Sequence, residues 1–197
     1  MRFSDRIGEL ESGDIGLLGL PFDANSSYLR GPALGPARAR EALYSGSGNW
    51  ATELGASVPP GKGWLDLGDP AIPPEPGYRR EIEEAAGRVL DAGAIPLALG
   101  GDHSVTYPLL RAQARRSGAP TVVHLDAHGD LYDELDGNRY SHATPFARIL
   151  EEGSAAKLYQ IGVRSLTEHQ REQASRFGVG IVEMKDLNLS TLIEELP

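Results

Sequence analysis

A chain of 197 residues with 40% apolar residues is long enough to bury one substantial core, and its length favours a single domain, 1–197, over two. Nineteen Lys and Arg against 28 Asp and Glu give a formal net charge of -9 with no basic block, which argues against a nucleic-acid partner and lends weak support to a cationic small molecule. With no cysteine there are no disulfides, zinc-thiolate sites or thiol nucleophiles, and without a leader pattern or a stretch near the ~20 apolar residues needed to span a bilayer, no membrane partner is expected and the chain reads as soluble and cytoplasmic.

In chain order, a buried strand is expected at Ile15 to Leu20, then a helix at Ala37 to Tyr44 and a short strand at Trp64 to Leu67 within the Pro- and Gly-rich loops of Val58 to Gly77. A helix over Tyr78 to Ala92 precedes a strand at Ile95 to Leu99, and a helix over Val105 to Arg116 precedes a strand at Thr121 to Leu125. A helix at Pro145 to Glu152, a strand at Lys157 to Gly162, a helix at Thr167 to Phe177, a strand at Gly180 to Glu183 and a helix at Leu189 to Glu195 complete the series. Gly93, Gly118, Gly153 and Gly178 each stand just past a helix, where a left-handed residue is cheap. Short apolar runs alternating with helical segments predict an α/β fold with a mostly parallel sheet and crossover helices.

Two strand ends carry metal-type side chains at the place where open α/β sheets put their sites. The first is Leu99-Gly100-Gly101-Asp102-His103-Ser104, in which two glycines permit a tight turn. The second is Val123-His124-Leu125-Asp126-Ala127-His128-Gly129-Asp130. There Asp126, His128 and Asp130 alternate at period two, so an extended backbone would project all three to one side. Carboxylates and imidazoles without thiolate suit a fairly hard divalent ion such as manganese, and an Asp can bridge two ions.

These motifs, followed by Ser141-His142-Ala143-Thr144-Pro145-Phe146, resemble the ordered motifs of the ureohydrolase (arginase and agmatinase) family. Pro21-Phe22-Asp23, Asn25-Ser26-Ser27, Gly31-Pro32, Gly35-Pro36, Asp66-Leu67-Gly68-Asp69, Leu131-Tyr132-Asp133 and Gln160-Ile161-Gly162-Val163-Arg164-Ser165 extend the likeness, nearest to plant-type arginases, over almost the whole chain. The resemblance implies a three-layer α/β architecture with helices on both faces of the sheet, of the arginase and deacetylase kind. It implies two manganese ions (Mn2+) per site: His103 and Asp130 on the first, His128 on the second, and Asp126 bridging both. It further implies hydrolysis of a small cationic guanidino compound, agmatine or arginine, to urea and an amine, with Asp130 passing a proton and His142 exchanging it with solvent. Relatives of this kind form homo-oligomers, trimers or hexamers.

The family's later Ser-x-Asp-x-Asp motif and its substrate-gripping Glu have no counterpart here, so the chain is expected to lack the C-terminal third. Asp126 and Asp130 alone balance one divalent ion, which predicts one weakly held metal or none and little turnover. Two other readings are a non-catalytic or oligomer-forming remnant, and a single-zinc deacetylase of the same architecture. Among the remaining polar residues, His124 is expected to be a supporting or core histidine, His169 solvated surface and Asp102 a helix cap, while the Ser26-Ser27 and Arg30 region is given no role. Tyr132 with Asp133, Glu134 and Asp136 reads as a solvated acidic loop, and Gly129 as a residue that loosens the ligand loop.

Overall fold

The computed structural model describes Phe3 and residues 6–188. Its strands are β1 (Ile15–Gly19), β2 (Trp64–Gly68), β3 (Ile95–Leu99), β4 (Thr121–Leu125), β5 (Lys157–Val163) and β6 (Gly180–Glu183). The α-helices are α1 (Gly35–Leu43), α2 (Gly77–Asp91), α3 (Thr106–Ser117), α4 (Pro145–Glu151) and α5 (Glu168–Phe177). All the expected strands form, as do five of the expected helices, with boundaries displaced by a residue or two. The helix expected at Leu189 to Glu195 lies outside the described residues. No described helix is long and apolar enough to cross a membrane.

All ladders among the six strands are parallel, but they form two sheets of three, in the orders β2-β1-β3 and β4-β5-β6. The one continuous sheet anticipated from the pattern is therefore divided: β3 pairs with β1, β4 pairs with β5, and the two edge strands do not pair with each other. The division leaves apolar side chains of both edges in solvent, Ile95 and Leu97 on β3 and, most of all, Leu125 on β4 at 73% exposure.

Helices cover both faces of the first sheet. On one face α2 turns Tyr78, Ile82, Ala85, Ala86 and Val89 inward at helical spacing against Leu18, Leu65 and Leu67. On the other, α1 is fixed by Arg40, whose guanidinium grips the Asp66 carboxylate at 2.9 and 3.0 Å and reaches Asp69 at 2.5 Å. That interaction gives the Asp66-Leu67-Gly68-Asp69 motif a structural role. Burial alone would raise the Asp66 carboxyl, but Arg40 and the Gly68 amide carry it below its ordinary value. In the second sheet Leu158 packs with Phe146 and Ile149 of α4 and Ala174 of α5, forming a separate core to which α3 contributes Tyr107. Helix α5 is closed at both ends: the Thr167 hydroxyl accepts from the Gln170 amide, and Gly178 takes the left-handed C-terminal position at φ 64.

Candidate metal centre

The first ligand segment leaves β3 through Gly100 and Gly101. At Gly101 a side chain is excluded, since a Cβ would collide with the Phe22 backbone; the close approach lets the Asp102 amide donate to Phe22 O at 2.8 Å. Asp102, buried, then does two things. Its Oδ1 accepts from the Ser104 amide at 3.0 Å, capping the 3-10 turn His103–Val105, and its Oδ2 accepts from the Asn25 amide at 2.9 Å. The loop after β3 is thereby locked to the loop after β1, and His103 is delivered toward β4.

The second segment is not the extended ribbon that its spacing suggested. Regular strand ends at Leu125, and Asp130 has φ 47, in the left-handed region that Asp tolerates better than most residues. The period-two argument nevertheless reached the right destination, because Asp126, His128 and Asp130 line one cavity of about 420 Å3 together with His103 and His142. Gly129 is a packing residue more than a loosening one: the Leu166 methyl and the Gln170 amide lie where a Cβ would come within 2.8 and 2.9 Å of them.

Asp126 is central. Its Oδ1 accepts from the His128 amide at 2.9 Å and lies 3.4 Å from His128 Nδ1, while its Oδ2 is 3.5 Å from His124 Nε2. His103 Nδ1 is 2.5 Å from Asp130 Oδ2. Burial would raise the Asp126 carboxyl, but the His128 amide and the surrounding imidazoles bring it below the ordinary carboxylate value. Burial and the adjacent His103 push His124 down, which favours the neutral, ligating form. Phe146, from the Ser-His-x-x-Pro-Phe motif, floors the group, 4.4 Å from the His124 ring and 5.6 Å from that of His103.

The donors fit a divalent cation. His103, His124 and Asp126 each present a ligand atom within 4.8 Å of the others. Among the described residues four buried side-chain polar atoms lack a hydrogen-bond partner, and three of them, His124 Nε2, Gln160 Oε1 and Gln170 Oε1, cluster here. Buried orphans of this kind call for an explanation, and a bound ion is one. His124, expected to be a supporting or core histidine, is buried beside His103 and Asp126 with a ring nitrogen within reach of the same point, whereas His128 has a side chain 70% exposed and stands at the rim.

His142 is oriented by the backbone. Its Nδ1 lies 2.8 Å from Asn25 O, a bond that only an Nδ1–H can make, so in the neutral ring the lone pair is on Nε2, 3.5 Å from Ser27 Oγ. Asn25, noted in the Asn25-Ser26-Ser27 motif but given no role there, ties the site together. Buried, it donates through Nδ2 to Tyr78 Oη and Ser104 Oγ at 3.1 and 3.2 Å and accepts from Asn138 Nδ2 at 3.0 Å. In sequence it is one loop Asn before two serines, and only its partners distinguish it. His169, expected to be solvated, is half-exposed and stacks on Tyr132 at 5.9 Å; Tyr132 and Leu135 of the acidic loop line the cavity.

The family model described as Arginase family matches residues 13–196. The chain belongs to the arginase family. It is 44% identical over 178 residues to "Arginase 1, mitochondrial" of Arabidopsis thaliana, covering 86% of this chain and 52% of that one. It is 34% identical to "N(1)-aminopropylagmatine ureohydrolase" of Thermus thermophilus, covering 98% of this chain and 67% of the relative. Its fold superposes on the arginase of Medicago truncatula with a TM-score of 0.87 at 37% identity, covering 97% of this chain and 64% of that structure. The chain thus spans about half the length of the plant arginases it matches, and its α/β architecture of parallel sheets is that of the arginase family.

Proposed function

We propose that this chain carries the metal-binding half of a manganese-dependent hydrolase that cleaves a guanidino compound to urea and an amine. The observation that carries the reading is the convergence of His103, Asp126, His128, Asp130 and His142 on one cavity from two separate sheets. His103, Asp126, His128 and Asp130 would hold manganese, with His124 as a further donor whose buried Nε2, 3.5 Å from Asp126, makes no hydrogen bond. When bound, manganese lowers the pKa of water and stabilises developing negative charge.

The remaining work falls to the chain. Phe146 excludes water beneath the imidazoles, and Asp130 accepts a proton and passes it toward the departing amine. His142, its Nδ1–H held by Asn25 O, exchanges that proton with solvent at Nε2. Asp126, Asp130 and Tyr132 line the cavity, which supports a cationic substrate of the agmatine or arginine kind.

Two carboxylates in the cavity balance one divalent ion. The expected outcome of a calorimetric manganese titration is one ion or fewer per chain, with urea release from agmatine that is slow and dependent on manganese. Two tight ions per chain would overturn the stoichiometry. Acetate release from acetylated amines with zinc, and no urea with manganese, would replace the guanidino reading by a deacetylase.

A further inference from the structure

Between Asp130 and the tight turn at Leu135 the chain runs Leu131-Tyr132-Asp133-Glu134, a stretch whose charges suggest a solvated acidic loop. Glu134 and Asp136 are indeed exposed, but Asp133 is not a free carboxylate. Its Oδ1 accepts from Gln173 Nε2 at 2.7 Å and lies 3.5 Å from the Arg148 guanidinium. Its carbonyl accepts from Arg148 Nη1 at 2.9 Å, and its amide donates to His169 Nε2 at 3.4 Å. Arg148 on α4 and Gln173 on α5 are both buried, so one residue of an otherwise open loop is fastened to two helices through its carboxylate, carbonyl and amide together. The same His169 ring lies flat against Tyr132, with 13° between the planes.

What this fastening holds lies three residues earlier. Asp130 has φ 47, a conformation that a residue with a side chain keeps only where the surrounding structure over-determines it. Before the turn, the buried Gln160 amide donates to Gly129 O at 2.5 Å. At the turn and just after it, Asp130 O accepts from the Phe146 amide at 3.3 Å, the Tyr132 amide donates to Ala143 O at 3.2 Å, and Leu131 is fully buried. Asp133 closes the series, and its two buried partners come from elements that pack in the second core.

We propose that Asp133 is a positioning residue for the candidate metal centre. By fastening the loop to α4 and α5 it holds Asp130 in its left-handed turn, with the carboxylate on His103, and keeps Tyr132 on the cavity wall. Asp133 does not itself line the cavity and acts through these neighbours. Groups that orient ligands in this way change metal affinity by roughly ten- to a hundredfold when removed.

The test is calorimetric titration of the full chain with manganese alone, paired with hydrogen exchange of the metal-free protein. The variants are Asp133→Ala, Asp133→Asn and, as a control with the same loss of charge on the same loop, Glu134→Gln. The manganese readout rests on the function proposed above; the exchange readout does not. In Asp133→Ala manganese affinity is expected to fall roughly tenfold or more, and amides of 130–135 to exchange faster while β4, β5 and β6 keep their protection. Asp133→Asn, which retains an acceptor for Gln173, is expected to recover most of both effects, and Glu134→Gln to show neither. Should Asp133→Ala fail to fold, Gln173→Ala, which removes one bond of the grip, is expected to give the same local pattern in smaller measure. An affinity left within about twofold, faster exchange in all strands alike, or an equal effect in Glu134→Gln would each overturn the proposal. If the unaltered chain takes up no manganese, the function proposed above fails and exchange alone decides: a rise confined to 130–135 sustains the anchoring role of Asp133, and no rise there overturns it.

Discussion

The two sheets differ in how they are covered, and the candidate metal centre belongs to neither alone. The first, β2-β1-β3, has α2 packed on one face and α1 held to the other; the second has its core on the side of α4 and α5, and the edge strand of each stays exposed, at Ile95 and Leu97 in one and at Val123 and Leu125 in the other. Each builds a core from its own stretch of chain. His103 is delivered by the first and His124, Asp126 and Asp130 by the second, so the candidate donor group spans the division. Joining the halves are α3, which gives Leu109 to one core and Tyr107 to the other, and Asn25, which reaches Asp102, Tyr78, Asn138 and His142. Stability is thus local to each half, whereas the geometry of the site depends on how the halves are linked.

The largest effect is expected from Phe146→Ala, which opens a cavity in the second core directly beneath the imidazoles and costs about 4 kcal/mol. Hydrogen exchange should then show β4, β5 and β6 losing protection while β1 to β3 keep theirs; simultaneous loss in all six strands would mean that the halves are one cooperative unit. Next is Asp126→Asn, which removes the central carboxylate. Manganese affinity is expected to fall by on the order of a hundredfold, with the melting temperature of the metal-free chain nearly unchanged, as measured by calorimetry and thermal denaturation.

Asn25→Ala tests the link. It leaves Tyr78 Oη, Ser104 Oγ and Asn138 Nδ2 short of a partner at a cost of about 2 kcal/mol, while the backbone bonds to Asp102 and His142 stay in place. If the link sets the site, manganese binding weakens along with stability; if affinity holds while stability drops, the halves are aligned by α3 alone.

The smallest effect concerns pH. Burial and His103 hold the folded His124 below its ordinary value, so the unfolded chain binds the extra proton. The metal-free protein should therefore lose stability as pH falls below the unfolded histidine value of about 6.5, by at most about 1.4 kcal/mol per pH unit. Asp126, whose carboxyl is held low, contributes in a separate window, as pH falls below about 3.9. Denaturant titrations across this range should show the upper slope flattened in His124→Gln; an unchanged slope would place the titration elsewhere.

Sequence by itself determined the strands and helices, because apolar period and glycine punctuation act over a few residues, and it marked His103, Asp126, His128, Asp130 and His142 through three short ordered motifs. Only the tertiary structure decided the division into two sheets, since strand pairing depends on contacts distant along the chain that no local pattern encodes. It alone gave Asn25 its bonds to Tyr78, Ser104 and Asn138 and set His124 beside His103 and Asp126, because such contacts rest on partners brought from other segments.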